Sequence, residues 1–272
     1  MHVALRFAYD GGRFPAYARQ PQSDSVEAQL LAALRHEGYV EESWKSGSRT
    51  DAGVSALENV ARVELDRPHL RGLVPALQRH LPIGLWATGA VEVDAAWNPR
   101  HAKRRTYTYH AAARGEDAAT LREACACFEG THDMRAFARL EEGRRPERNI
   151  FQFSVEPIAE GWRFTTVGDG FLWHQVRRMV GASLAVGRGE AHVGDIRASL
   201  KSGHPHARFR LAAAEGLVLT RVEYESLEWD AAAGPVGRHQ VPRYWQDAQG
   251  QAMLAAHLRT LAPWPNEDRG DA

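Results

Sequence analysis

Apolar residues recur along the chain in two rhythms, and the switch between them predicts the elements. His2 to Tyr9 alternates, with Val3, Leu5, Phe7 and Tyr9 on one side, which predicts a half-buried strand ended by an Asp10-Gly11-Gly12 turn. Asp24 followed by Glu27 resembles a capping box, and Val26, Leu30, Ala33 and Leu34 then form a helical stripe that stops at Gly38. Alternation returns from Asn59 to Leu65, where Ala61, Val63 and Leu65 oppose Arg62 and Glu64. A helix over Leu70 to His80 and a strand over Leu85 to Val93 complete this half.

The second half repeats the order. The pattern predicts a strand over Arg105 to Ala111, helices over Leu121 to Phe128 and Asp133 to Leu140, and strands over Asn149 to Pro157 and Trp162 to Val167. A helix over Phe171 to Val186, a shorter one over Asp195 to Ser202, and a strand over Leu217 to Tyr224 follow. Each half approximates β-α-β-β-α-β, the split βαβ pattern of ferredoxin-like domains, although no residue-level repeat links them. The expected division is an N-terminal half over 1–104, a C-terminal half over 105–227, and an extension over 228–272. In the extension a helix over Gln246 to Leu261 precedes a frayed end rich in Pro, Asp, Glu and Gly.

Composition narrows this only a little. The 272 residues are 44% hydrophobic and 25% charged, an ordinary globular balance with room for a real core. No apolar run approaches the roughly 20 residues of a membrane helix, and the N-terminus lacks the regions of a signal peptide, so a cytoplasmic protein is expected. Cys125 and Cys127 lie two apart in a predicted helix and point to different sides. That spacing excludes a mutual disulfide or a paired metal site, and both read as small buried apolar groups. The 34 basic and 34 acidic residues cancel, so any nucleic-acid preference has to come from distribution. Arg100, Lys103, Arg104 and Arg105 form a run without an acid, while Arg144, Arg145 and Arg148 are diluted by Glu141, Glu142 and Glu147. Either cluster reads as a phosphate contact or as solvated surface.

Three segments carry candidate chemistry. Gly47-Ser48-Arg49-Thr50-Asp51-Ala52-Gly53-Val54 has no periodicity, and its glycines suit a tight loop beside a ligand. Arg49 and Asp51 point the same way in extended chain, as a functional pair or as an idle surface ion pair. In Gly168 to Gly181, Val176, Met179, Val180 and Leu184 make the apolar face of a helix. Arg177 borders that face beside the small Gly181; it either seeks an anionic partner or snorkels to solvent. In Asn98 to Tyr109 the basic run enters a strand carrying Tyr107 and Tyr109. An aromatic beside arginines is an RNA-binding combination, and a core tyrosine is the plainer reading. A P-loop, a dinucleotide fingerprint and a Cys/His metal set are all missing, and Gly187-Arg188-Gly189 reads as a helix-ending turn.

These segments, with Tyr9-Asp10-Gly11, Ala18-Arg19-Gln20-Pro21 and Glu215-Gly216-Leu217, resemble the TruA family of tRNA pseudouridine synthases. The family's signatures are an Arg-Thr-Asp-Ala-Gly-Val loop, a Lys-Arg-x-Tyr-x-Tyr strand entry and a Gly-x-x-Phe-Leu-x-His-x-Val-Arg helix. The ordered set runs over about residues 3–224, and the extension over 228–272 lies outside the resemblance. Departures are Ser48 in place of a common glycine, Ser55 in place of histidine, and Tyr17 at a tryptophan within Phe14 to Gln20. None removes a catalytic group; all bear on the choice of uridine.

The resemblance implies roles residue by residue. Asp51 is the catalytic carboxylate, Arg49 fills the space of the flipped nucleotide, Tyr107 stacks on the target base, and Arg177 pairs with the aspartate. Leu217 contacts the base from the other side, and Arg19, Gln20, Arg100, Lys103, Arg104, Arg105, His174 and Arg178 are the remaining substrate contacts. Pattern and resemblance together imply an α+β fold: two ferredoxin-like halves joined through a mixed, largely antiparallel sheet, helices on one face, and a central RNA-binding cleft. The implied reaction is uridine isomerisation in the anticodon stem-loop of tRNA, at positions 38–40, by a homodimer that needs no cofactor or metal and no membrane. A synthase of broader RNA specificity and a silent RNA-binding protein are the alternatives. Asp51 has three routes open: attack on the sugar, attack on the base, or proton removal to a glycal-like intermediate.

Overall fold

The computed structural model describes residues 1–229 except 22, 67–69, 160 and 226; the predicted helix over Gln246 to Leu261 and nearly all of the extension lie outside the described residues. The first half contains β1 (His2–Tyr9), α1 (Val26–Arg35), β2 (Lys45–Ser46), β3 (Ser55–Glu64), α2 (Leu73–Gln78) and β4 (Leu85–Glu92). The second contains β5 (Arg104–Ala112), α3 (Ala118–Ala126), β6 (Gly130–Asp133), β7 (Glu147–Ile158), β8 (Gly161–Gly168), α4 (Gln175–Gly187), α5 (Val193–Ser202) and β9 (Leu217–Glu223).

Among the described residues the strands form one mixed sheet in the order β4-β1-β3-β9-β5-β8-β7-β6, with β2 beside β3. Every pairing is antiparallel except β3 with β9, a short parallel contact of Ser55 with Val218 and Ala56 with Leu219. That contact is the seam between the halves. One core cluster joins Val3, Leu5, Phe7 and Tyr9 of β1 to α1 through Leu30 and Leu34, to α3 through Leu121, and to α4 through Met179 and Val180. The short Ala4 and Ala8 on the second face of β1 are buried too, Ala8 against Trp86 of β4, so the strand is more than half-buried.

Several boundaries differ from the pattern, each for a local reason. The cap of α1 is Ser25, which accepts from Ala28 N at 3.2 Å. Asp24 instead accepts from Gln29 Nε2, and Glu27 accepts from the Arg19 backbone, so the reciprocal bonds of a capping box are not made. Arg62, expected to face solvent, is 6% exposed and donates to the Ala95 and Trp97 carbonyls. Over 133–140 no α-helix forms. The segment is the end of β6 and a single 3-10 turn, Arg135–Phe137, because Asp133 accepts both the backbone N–H and the guanidinium of Arg135. α4 starts at Gln175 rather than Phe171, since His174 has φ +65°, the left-handed region no right-handed helix can pass through. Cys125 is buried, but Cys127 is only half-buried, and neither is in a disulfide.

His110 supplies a stability prediction. It alternates away from Tyr107 and Tyr109 on β5, is 3% exposed, and neither ring nitrogen has a hydrogen-bond partner among the described residues. Burial, reinforced by the charge of Arg163, lowers its pKa from 6.5 to about 4. The fold therefore holds the neutral ring, and its contribution is complete above the unfolded value and lost as pH falls through the folded one. Between pH 6.5 and pH 4 wild type should lose about 3 kcal/mol through this group alone. Denaturant melts of wild type and His110→Leu across that window test this; parallel curves would refute it.

Candidate active site

The residues 47–54 form the loop that delivers the chain into β3, and a buried polar network holds it from below. Asn59, fully buried on β3, donates to the Ser48 carbonyl at 2.9 Å, and the Tyr9 hydroxyl shares a 2.8 Å hydrogen bond with Thr50 Oγ1. Ser48, one of the departures noted above, accepts from Arg105 Nε at 3.2 Å. Gly53 has φ +84°, a turn that an L side chain adopts only with strain. Loop positions are thus set by buried hydrogen bonds rather than by exposed contacts.

Asp51 emerges from this loop and meets α4. Arg177 Nη1 donates to Asp51 Oδ2 at 2.6 Å, and both side chains are largely buried, 12% and 18% exposed. The other edge of the guanidinium is used as well: Nε donates to the Ala212 carbonyl at 2.7 Å. Ala212 N in turn donates to the Arg177 carbonyl at 3.2 Å, so the segment 210–212 straps α4. Gly181 permits that strap, since a Cβ there would sit 1.8 Å from the Arg210 carbonyl oxygen. The small residue next to Arg177 serves main chain, not an open space for the arginine. Two acceptors orient one planar fork, so the pair is both charge-assisted and held in one geometry.

His174 Nε2 lies 3.6 Å from the same Asp51 oxygen. Burial holds this imidazole below its ordinary pKa, with the charges of Arg177, Arg178 and Arg139 adding to the effect and the Asp51 carboxylate opposing it. Near neutrality the ring is uncharged, and Arg177 is the cation that balances Asp51.

These groups open onto a cavity of about 770 Å³. Arg49, Asp51, Tyr107, Arg177, Leu217, Gln20, Arg100, Arg105 and His174 all line it. The seam brings them together: β3 follows the Asp51 loop, and its partner β9 begins at Leu217. Tyr107 is 8% exposed and stands edge-on to Phe171 at 5.3 Å. Burial above all, with Asp51 nearby, pushes its phenol up to about 12, so the hydroxyl keeps its proton.

Four of the expected contacts are not on the cavity wall: Arg19, Lys103, Arg104 and Arg178. Strand alternation divides the basic run. Arg105 turns inward and spends its guanidinium on the carbonyls of Gly47, Arg100 and Asp169, while Arg104 lies over the Phe151 ring and Lys103 meets Glu225. Arg19 lies near Glu41, and Arg178 sits about 100° round α4 from Arg177. Conversely, Phe171, Trp173, Asp169, Arg144 and Arg148 line the cavity without having been singled out as site residues. The charged cluster over 144–148 was legible, but its attachment to this cavity was not. Asn59 had a signal, an amide amid the apolar alternation of a strand. No group of three His, Cys, Asp or Glu side chains among the described residues is placed to hold a metal ion.

Comparison with known proteins bears on this geometry. A family model described as tRNA pseudouridine synthase matches residues 124–225. A relative from Methanoculleus marisnigri, named tRNA pseudouridine synthase A, is 38% identical over 229 residues, covering 82% of this chain and 83% of its own. Relatives of the same name from Thermococcus sibiricus and Thermococcus kodakarensis are 35% and 37% identical, covering 96% and 85% of this chain and 100% and 87% of their own. With that similarity spanning both the Asp51 loop and the Arg177 helix, the chain belongs to the tRNA pseudouridine synthase A family.

Proposed function

We propose that the protein isomerises uridine to pseudouridine in the anticodon stem-loop of tRNA, at positions 38–40, with Asp51 as the catalytic carboxylate. The observation that carries this reading is the 2.6 Å pair of Asp51 with Arg177, held at a cavity also walled by Tyr107 and Leu217. The reaction breaks the N1–C1′ bond, turns the uracil while it is bound, and rejoins it through C5. N1 gains a proton and C5 loses one, so no oxidant, reductant or co-reactant is consumed. A uridine must first leave its stack, at a cost of a few kcal/mol. Tyr107 and Leu217 offset that cost on the base faces, and Arg49, exposed on the rim, fills the vacated position. The Arg177 guanidinium holds the Asp51 carboxylate in one orientation for each of the three routes open to it.

The cavity serves in this reading as an RNA-binding cleft between two ferredoxin-like halves, 1–104 and 105–227. Strand order supports the division: β4-β1-β3-β2 and β9-β5-β8-β7 repeat one arrangement on either side of the seam. Arg100, Arg144 and Arg148 line the cleft as cations for the backbone phosphates. The protein acts as a homodimer across which one tRNA lies, and no role is assigned to the extension over 228–272. Incubation with unmodified tRNA transcripts, followed by chemical mapping of pseudouridine, tests the proposal. Product at positions 38–40 is expected. Product elsewhere would favour an enzyme of broader specificity, and none in any transcript would favour a silent RNA-binding protein.

A further inference from the structure

Five large apolar side chains are exposed among the described residues, and of these Trp173 alone lines the cavity. It is 41% exposed, and the proposed reaction has no use for it. Its ring is not loosely placed. The Arg139 guanidinium lies 4.2 Å from the ring centroid, and Arg139 N donates to the Trp173 carbonyl at 2.8 Å in an isolated antiparallel bridge. The indole also neighbours the His174 ring, with centroids 5.1 Å apart, and His174 is the residue beside Asp51. The left-handed backbone at His174 makes the chain turn directly after Trp173, and the indole stays on the cavity wall, still partly exposed, where α4 begins.

We propose that Trp173, backed by Arg139, is a stacking platform for the base of a nucleotide adjacent to the one that enters the cavity. This rests on the RNA-modifying reading above. A nucleotide presents a flat π-face and an anionic phosphate together. The indole matches the first, and the Arg139 guanidinium held against it supplies a cation for the second. A cation held against one face of an indole also leaves the remaining exposed surface as the docking side. Stacking of this kind tolerates any base, so the platform grips the strand next to the target without reading its sequence. It also explains how a single uridine is held out of its stack: the neighbour is given a substitute surface at the moment the helix or loop loses one.

Trp173→Ala should weaken binding of a tRNA anticodon-arm stem-loop by about fivefold to a hundredfold, and Trp173→Phe should recover most of that loss. Leu140→Ala, an exposed apolar neighbour of Arg139 outside the cavity, should change nothing. Stacking itself is read with a set of stem-loops that carry 2-aminopurine beside each uridine in turn. Wild type and Trp173→Phe should quench the probe at one position, and Trp173→Ala should not. Unchanged affinity in Trp173→Ala, or quenching that survives it, would overturn the platform. Both readouts are binding measurements, so they decide the matter whether or not pseudouridine forms; its formation in the same tubes tests the enzymatic reading separately.

Discussion

Asp51→Asn is expected to slow pseudouridine formation by at least about a thousandfold while changing tRNA affinity by less than about threefold. The amide keeps the volume of the carboxylate and can still accept from Arg177, whose second edge remains bound to the Ala212 carbonyl. The loop is fixed by Asn59, Tyr9 and Arg105 rather than by Asp51, so its path should persist. What is lost is the charge and with it nucleophilicity and basicity on every available route. Single-turnover rates and filter binding on the same preparations separate the two effects. A variant that retains a near-normal rate would sink the assignment of Asp51, and one that loses binding and rate equally would move Asp51 from chemistry to recognition.

Arg177→Met should lower both activity and stability, for a different reason. It strands the Asp51 carboxylate, 18% exposed, and removes the donor to Ala212 as well. Breaking a buried pair by deleting one partner costs about 3 kcal/mol, the lower end of the range suiting groups that keep some exposure. The rate should fall by about a hundredfold or more, because the carboxylate loses the charge-assisted donor that orients it. His174 provides the signature. With the repelling Arg177 cation gone and Asp51 still 3.6 Å away, its pKa should rise, and a new acid-side dependence should enter the pH–rate profile. Arg177→Lys should retain the charge but satisfy only one of the two acceptors, giving an intermediate rate. A Met variant with an unchanged pH profile and unchanged melting would show that the pair is idle.

Strands were the most legible elements. In β1, β5 and β8 the alternation of apolar and polar positions is a direct imprint of the pleat, and their bounds differ from expectation by a residue or so. Helix starts were less legible. The stripe of α4 extends back through Phe171 and Leu172, yet one left-handed residue, His174, decides where the helix begins, and backbone conformation leaves no trace in an apolar pattern. Over 133–140 a side-chain bond from Asp133 captured the turn that periodicity assigned to a helix.

The candidate site divides the same way. Which residues to look for was suggested by motif order, and the structure does bring Asp51, Arg177 and Tyr107 to one cavity wall. Their meeting was not legible. Asp51 and Arg177 are 126 positions apart, and only the parallel contact of β3 with β9 carries the loop of one half to the helix of the other. The basic run from Arg100 to Arg105 likewise read as one patch, until the pleat sent Arg105 into a web of carbonyls and Arg104 outward. Local sequence records what each residue buries against its own strand or helix, because that depends on near neighbours along the chain. Which loops face each other across a cavity, and so which carboxylate meets which arginine and which tryptophan reaches the wall, depends on sheet order, and only the tertiary structure decides that.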